Sequence, residues 1–189
     1  TTYEATHPEF PHDLVKDNYR KIAANASLIN MPTLSQPPKI GPMPFTEIIE
    51  NSDFVMFVLN TGCYCTKDQE FSHGKLGTEQ IQWFESETKR LKDDPRWKIV
   101  LMHHHPFNYS FHVPGIDIST LEEGSQFLDI AGQNSVHLVL HGHRHHPKAE
   151  TQKKNQWNLP ITFICGGSLT VNSMHRSHGD IPNTLHLIE

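Results

Sequence analysis

The sequence predicts an α/β fold, a parallel or mostly parallel sheet with helices on its faces. Three observations carry this. Short apolar or mostly apolar runs fall at residues 54–59, 99–102, 136–140 and 161–165 and read as strands, the continuous one at 54–59 as a strand buried on both sides. Between the first and second runs, and again between the second and third, apolar residues recur at spacings of three and four, as on a half-buried helix. Strand, amphipathic helix, strand is the signature of a parallel crossover unit, and two in succession build a layered α/β arrangement.

Taken in order, residues 14–28 have a helical pattern, with Leu14, Tyr19, Ile22 and Ala26 toward one side. Residues 31–44 hold Pro32, Pro37, Pro38, Pro42 and Pro44 and read as a long extended loop. The strand at 54–59 stops at Asn60-Thr61-Gly62. Thr78 is the expected N-cap of the next helix, with Glu79 in its first turn and Ile81, Phe84, Thr88 and Leu91 on its buried face. Asp94-Pro95 ends it. The second helix is expected over residues 121–131, through Leu121, Phe127, Leu128 and Ala131. Residues 148–158 are polar and read as a hairpin or solvent loop, and residues 185–188 as a last strand.

A chain of 189 residues suits one domain spanning residues 1–189 with its own core. No apolar run approaches the roughly 18 residues of a membrane span. The formal charge of −5 argues against a broad nucleic-acid-binding surface, though not against a nucleotide substrate. Cys63, Cys65 and Cys165 form no disulfide framework and are expected to be free thiols. The first residues lack the basic and apolar regions of a signal peptide, and a cytoplasmic location is expected.

Fifteen histidines are the outlier in the composition. His103, His104 and His105 follow one apolar run; His141, His143, His145 and His146 close another. Parallel strands put their carboxyl ends on one edge, where open α/β sheets bind ligands, and imidazole is a common ligand for zinc, iron and manganese. Gly142 is expected to let the backbone bend sharply there, and His143 and His145 could then face different ions. His7, His12, His73, His112, His137, His175, His178 and His186 are expected to be non-ligands, His137 as a satisfied strand residue.

His104-His105-Pro106 after one apolar strand, and Gly142-His143-Arg144-His145 after another, resemble two motifs of the calcineurin-like metallophosphoesterases. The glycine at 74, the helix carrying Gln80, Trp83 and Phe84, and the strand into His-His-Pro have the same look. The resemblance spans about residues 45–189. It implies two packed β-sheets, a layered sandwich flanked by helices, and two divalent ions of the manganese, iron or zinc class about 3.5–4 Å apart that clamp a phosphate ester and activate water. It makes His104 and His143 ligands of one ion and His145 a ligand of the other, with His105 and Arg144 just outside the ligand sphere or toward substrate.

The family's Asp-x-His, bridging Gly-Asp and Gly-Asn-His motifs have no counterpart ahead of these histidines. Three neutral imidazoles cannot offset the repulsion of two close dications. The chain is therefore expected to be the C-terminal portion of such a domain, inactive alone. A missing N-terminal half or another chain would supply the Asp, Asn and His ligands, and residues 31–44 would wrap across it. Two alternatives stand beside this hydrolase: a non-catalytic or regulatory relative acting through protein contacts, and a single-ion zinc hydrolase using His104, His143 and His145 with water.

Overall fold

The computed structural model describes residues 39–43, 46–62, 73–108, 119–143 and 147–166. These form one seven-stranded mixed sheet and two helices, an α/β arrangement. The strands are β1 (Lys39–Ile40), β2 (Glu47–Glu50), β3 (Phe54–Val58), β4 (Trp97–Leu101), β5 (Leu138–His141), β6 (Lys148–Gln152) and β7 (Ile161–Cys165). The helices are α1 (Gly77–Arg90) and α2 (Gly124–Gln133). In space the order is β1-β2-β3-β4-β5-β7-β6. β3, β4, β5 and β7 run parallel at the centre, flanked by antiparallel pairs.

The crossovers β3–α1–β4 and β4–α2–β5 both step the same way along the sheet. Parallel crossovers are right-handed, so two steps in one direction put both helices on one face. This differs from the expectation of helices on both. Val55, Phe57, Val100, Val139 and Phe163 point toward α1 and α2 and are fully buried with Phe84 and Phe127. Phe84 meets Phe57 edge-on at 5.6 Å and stacks on Phe127 at 5.3 Å, so each buried ring contributes about 1.5–3 kcal/mol and joins helix to sheet. On the other face Phe54, Met56, Val58 and Ile99 are half-buried, while Trp97 and Leu101 are exposed.

Ile81, Phe84, Thr88 and Leu91 form the buried side of α1 and its end as the spacing predicts. Its start does not follow prediction. Thr78 lies inside the helix, and no side chain of the local N-cap closes it. Instead Glu123, at the entry to α2, accepts the Leu76 and Gly77 N–H groups through its two carboxylate oxygens, at 3.0 Å each. A long-range carboxylate does what Thr78 was expected to do, and it ties the two helix starts together. α2 itself begins at Gly124, and Leu121 forms an isolated parallel bridge with Gly74.

Three strands were not foreseen. Part of the proline-rich segment is β1, paired to β2, and the polar stretch after residue 147 supplies β6, paired to β7. β2 is short and bracketed by glutamates; the Asn51 side chain caps the turn into β3 by accepting the Asp53 and Phe54 N–H groups at 2.8 Å. Arg96 fastens that turn to β4 through Glu50, Asp94 and the Asn51 carbonyl. Edge strands need only one apolar side or none, and polar edges also discourage further pairing. The helix expected over residues 14–28, the strand at 185–188, and Cys63 and Cys65 lie outside the described residues; Cys165 is a buried free thiol. Among the described residues no helix is long and apolar enough to cross a membrane.

Replacing Glu123 by Ala should lower stability by about 1–2 kcal/mol, since two helix-start N–H groups lose their acceptor. Urea unfolding followed by circular dichroism measures this; an unchanged midpoint would show that the cap is not stabilising.

Candidate metal centre

The carboxyl ends of the parallel strands lie side by side, and hydrogen bonding continues past them. Met102 N–H donates to the Leu140 carbonyl at 3.0 Å, Gly142 N–H to the His103 carbonyl at 3.0 Å, and Gly166 N–H to the His141 carbonyl at 2.7 Å. Backbone pairing alone therefore sets the residues after β4 beside those after β5.

His104 is buried, 2% exposed. The Thr61 hydroxyl, just beyond β3, accepts the His104 backbone N–H at 3.1 Å and lies 2.8 Å from His104 Nδ1. Gln80 of α1 holds this loop in place: its Oε1 accepts the Asn60 N–H at 2.7 Å and its Nε2 donates to the Asn60 carbonyl at 3.1 Å. Gly74 closes the other side. A Cβ at residue 74 would fall 2.4 Å from His104 Cβ, so only glycine leaves room for the imidazole. With Nδ1 fixed on Thr61, His104 Nε2 is left buried with no hydrogen-bond partner.

His143 follows β5 with φ 69°. It is His143, not Gly142, that takes the left-handed turn, while the Gly142 N–H bonds the His103 carbonyl. A side chain in that region costs about 1–2 kcal/mol, and such strain gathers at functional sites. His143 Nδ1 lies 3.1 Å from His103 Nε2, and the His143 ring centroid is 4.5 Å from that of His104. One nitrogen from each of His103, His104 and His143 lies within 4.8 Å of the others.

Of the residues expected to bind metal, the structure brings His104 and His143 together; His145, and Arg144 expected just outside the ligand sphere, lie outside the described residues. His105 is buried, its ring 6.2 Å from those of His141 and His143, beside the cluster rather than in it. His103 is not among the expected ligands, since the motif resemblance points to His104, two before Pro106. Thr61 gave no sequence signal, since a threonine ending a strand is ordinary. His137 accepts the Lys98 N–H at 3.0 Å and stays apart from the cluster.

Burial first, and then the charges of His143, His103 and His105, push the His104 pKa down to about 3. Burial also pushes His141 down to about 4. At neutral pH His104 is therefore uncharged, as a metal ligand must be. A divalent ion suits these residues: it would take the lone pair of a buried Nε2 that has no protein partner, with Nδ1–H donated to Thr61 Oγ1, the usual outer support of a ligating imidazole.

No family model matches the chain, and no curated protein does. One similar solved structure is described as "GAP50 the anchor in the inner membrane complex of Plasmodium", with a TM-score of 0.39 and 12% identity over 70% of this chain and 36% of that one. This chain thus spans little more than a third of that protein, and a superposition at this level does not establish a shared fold.

The metal-free protein should be acid-sensitive through these histidines. The unfolded chain binds their protons near pH 6.5, whereas folded His104 and His141 resist them until about 3 and 4. Stability is thus full above pH 6.5 and falls as pH drops toward 4, by up to about 1.4 kcal/mol per pH unit for each group. Urea midpoints in chelator from pH 7.5 to 4 test this; His104→Gln should flatten the profile, and an identical slope in that variant would contradict it.

Proposed function

We propose that the chain is the histidine-bearing part of a metal-dependent phosphoesterase that hydrolyses phosphate mono- or diesters at a centre of two divalent ions. The observation that supports this most is the buried, partnerless Nε2 of His104, on a ring whose centroid lies 4.5 Å from that of His143, at the carboxyl rim of a parallel sheet, where such sheets bind ligands. His104 and His143 would hold one ion and His145 the other, both of the manganese, iron or zinc class. Bound ions supply Lewis-acid activation of water and of phosphoryl oxygens.

The chain's own residues prepare the site. Thr61 orients His104 and leaves its Nε2 available. Burial keeps that imidazole unprotonated at neutral pH. The left-handed turn at His143 carries its ring toward His104. His105 packs beside them, and Arg144 follows in sequence with a charge suited to a phosphate oxygen.

The clustered residues are all histidines, with no carboxylate among them. Two dications about 3.5–4 Å apart repel by on the order of 15–20 kcal/mol at an effective dielectric of about 20, so carboxylates must join them. We take these from an N-terminal half of the same domain or from another chain, whose second sheet would cover the side of Met56, Ile99 and Leu101 that faces away from the helices. The chain alone is then inactive.

Hydrolysis of bis-p-nitrophenyl phosphate with added manganese tests this. The 189-residue chain should be inactive and an N-terminally extended form active. His143→Asn, which tolerates the left-handed turn, should abolish that activity. Full turnover by the chain alone would refute the split site, and turnover surviving His143→Asn would refute the metal assignment. Thr61→Val should weaken metal binding about 10–100-fold by freeing the His104 ring; isothermal titration with the same metal measures it, and unchanged affinity would remove Thr61 from the centre.

A further inference from the structure

We infer that His103 is a metal ligand, and that His103, His104 and His143 form a complete three-imidazole site for one zinc-class ion, loaded without His145 and without any carboxylate. The proposal shares with the function above only the premise that this rim binds metal; it does not depend on phosphate ester hydrolysis.

Placement comes first. The Gly142 N–H bond to the His103 carbonyl makes residues 103 and 143 neighbours through the backbone, before any side chain is considered. The side chains follow: His103 Nε2 lies 3.1 Å from His143 Nδ1. Two nitrogens bound tetrahedrally to zinc at about 2.0–2.1 Å are about 3.3 Å apart, so this pair already has the separation of one edge of such a site. One nitrogen from each of the three rings lies within 4.8 Å of the others, and closing such a separation to about 3.3 Å requires a movement of about 1.5 Å. His103 is exposed and His143 half-exposed, while His104, held by Thr61 and Gly74, is the fixed point.

Ring geometry agrees. An imidazole lone pair lies in the ring plane, so three stacked rings would hold their lone pairs in separate parallel planes that share no point. The His103 ring instead stands at 87° to that of His104 and 85° to that of His143, a crossing of planes that lets three lone pairs meet. In the metal-free protein His104 Nε2 is a buried polar atom with no partner, a cost of about 1–3 kcal/mol. An ion shared with His103 and His143 satisfies it.

The donor set selects the ion. Three neutral imidazoles suit zinc, cobalt, nickel or copper and give magnesium or calcium no oxygen ligand. Three histidines around zinc leave a fourth position for water or an anion, and the solvent-facing sides of His103 and His143 are where that position would open.

Cobalt(II) titration of the full chain, followed by visible absorption, tests the proposal. The wild type should bind one ion with the intense spectrum of a four-coordinate site. His145→Ala should keep that ion and spectrum. His103→Ala should weaken binding at least about 100-fold, beyond the 10–100-fold that loss of an outer hydrogen bond costs, and should lose the four-coordinate spectrum. His103 is exposed, so its variant should keep the wild-type urea midpoint in chelator. Wild-type binding by His103→Ala, together with loss in His143→Asn, would overturn the role of His103 while leaving the rim a metal site. Loss of the ion in His145→Ala would overturn the claim of self-sufficiency. No binding by the wild type would overturn both.

Discussion

The parallel register between β4 and β5 is the constraint on which the rest depends. Val100 opposes Val139 and Leu101 opposes Leu140. Both valines are fully buried against the helices. A slip of one residue would turn the apolar set of a strand to the other face and expose those valines. The core therefore selects the register, and the register carries on past the strand ends through Met102–Leu140 and His103–Gly142. The same pairing that buries valines brings imidazoles together two or three residues later. Packing and the candidate metal centre are in this sense one arrangement.

The rim also shows where the fold accepts a penalty. His104 is buried with one nitrogen unsatisfied, and His143 is a non-glycine residue in the left-handed region. Neither helps the metal-free protein fold. Fully engaged polar groups hold the surroundings of His104: Gln80 bonds both the N–H and the carbonyl of Asn60, next to Thr61, and Glu123 closes the start of α1. A bound ion would turn the first penalty into a gain, because ligation that needs the folded rim adds its binding free energy to folding.

What the sequence revealed follows physical lines. The central strands β3, β5 and β7 are buried or half-buried on both sides, and β4 is so except at Trp97 and Leu101, so their apolar runs stand out. The buried sides of both helices showed as spacing. The edge strands did not: β6, Lys-Ala-Glu-Thr-Gln, faces solvent enough to look like a loop, and β1 is two residues inside a proline-rich stretch. The cap on α1 was hidden because Glu123 lies more than forty residues away from Leu76. At the site, His104 and His143 were legible as strand-end histidines. Thr61 acts through a contact that no spacing encodes, and His103 was set aside because a motif register favoured its neighbour.

The central claim is that the pairing of β4 with β5 creates a metal site at the rim. Anomalous X-ray diffraction from zinc-soaked crystals tests it most directly. The account predicts a single strong zinc peak within about 2.0–2.1 Å of His104 Nε2, shared with His103 and His143. Zinc bound elsewhere, with His104 Nε2 hydrogen-bonded to a protein group or an ordered water instead, would contradict it.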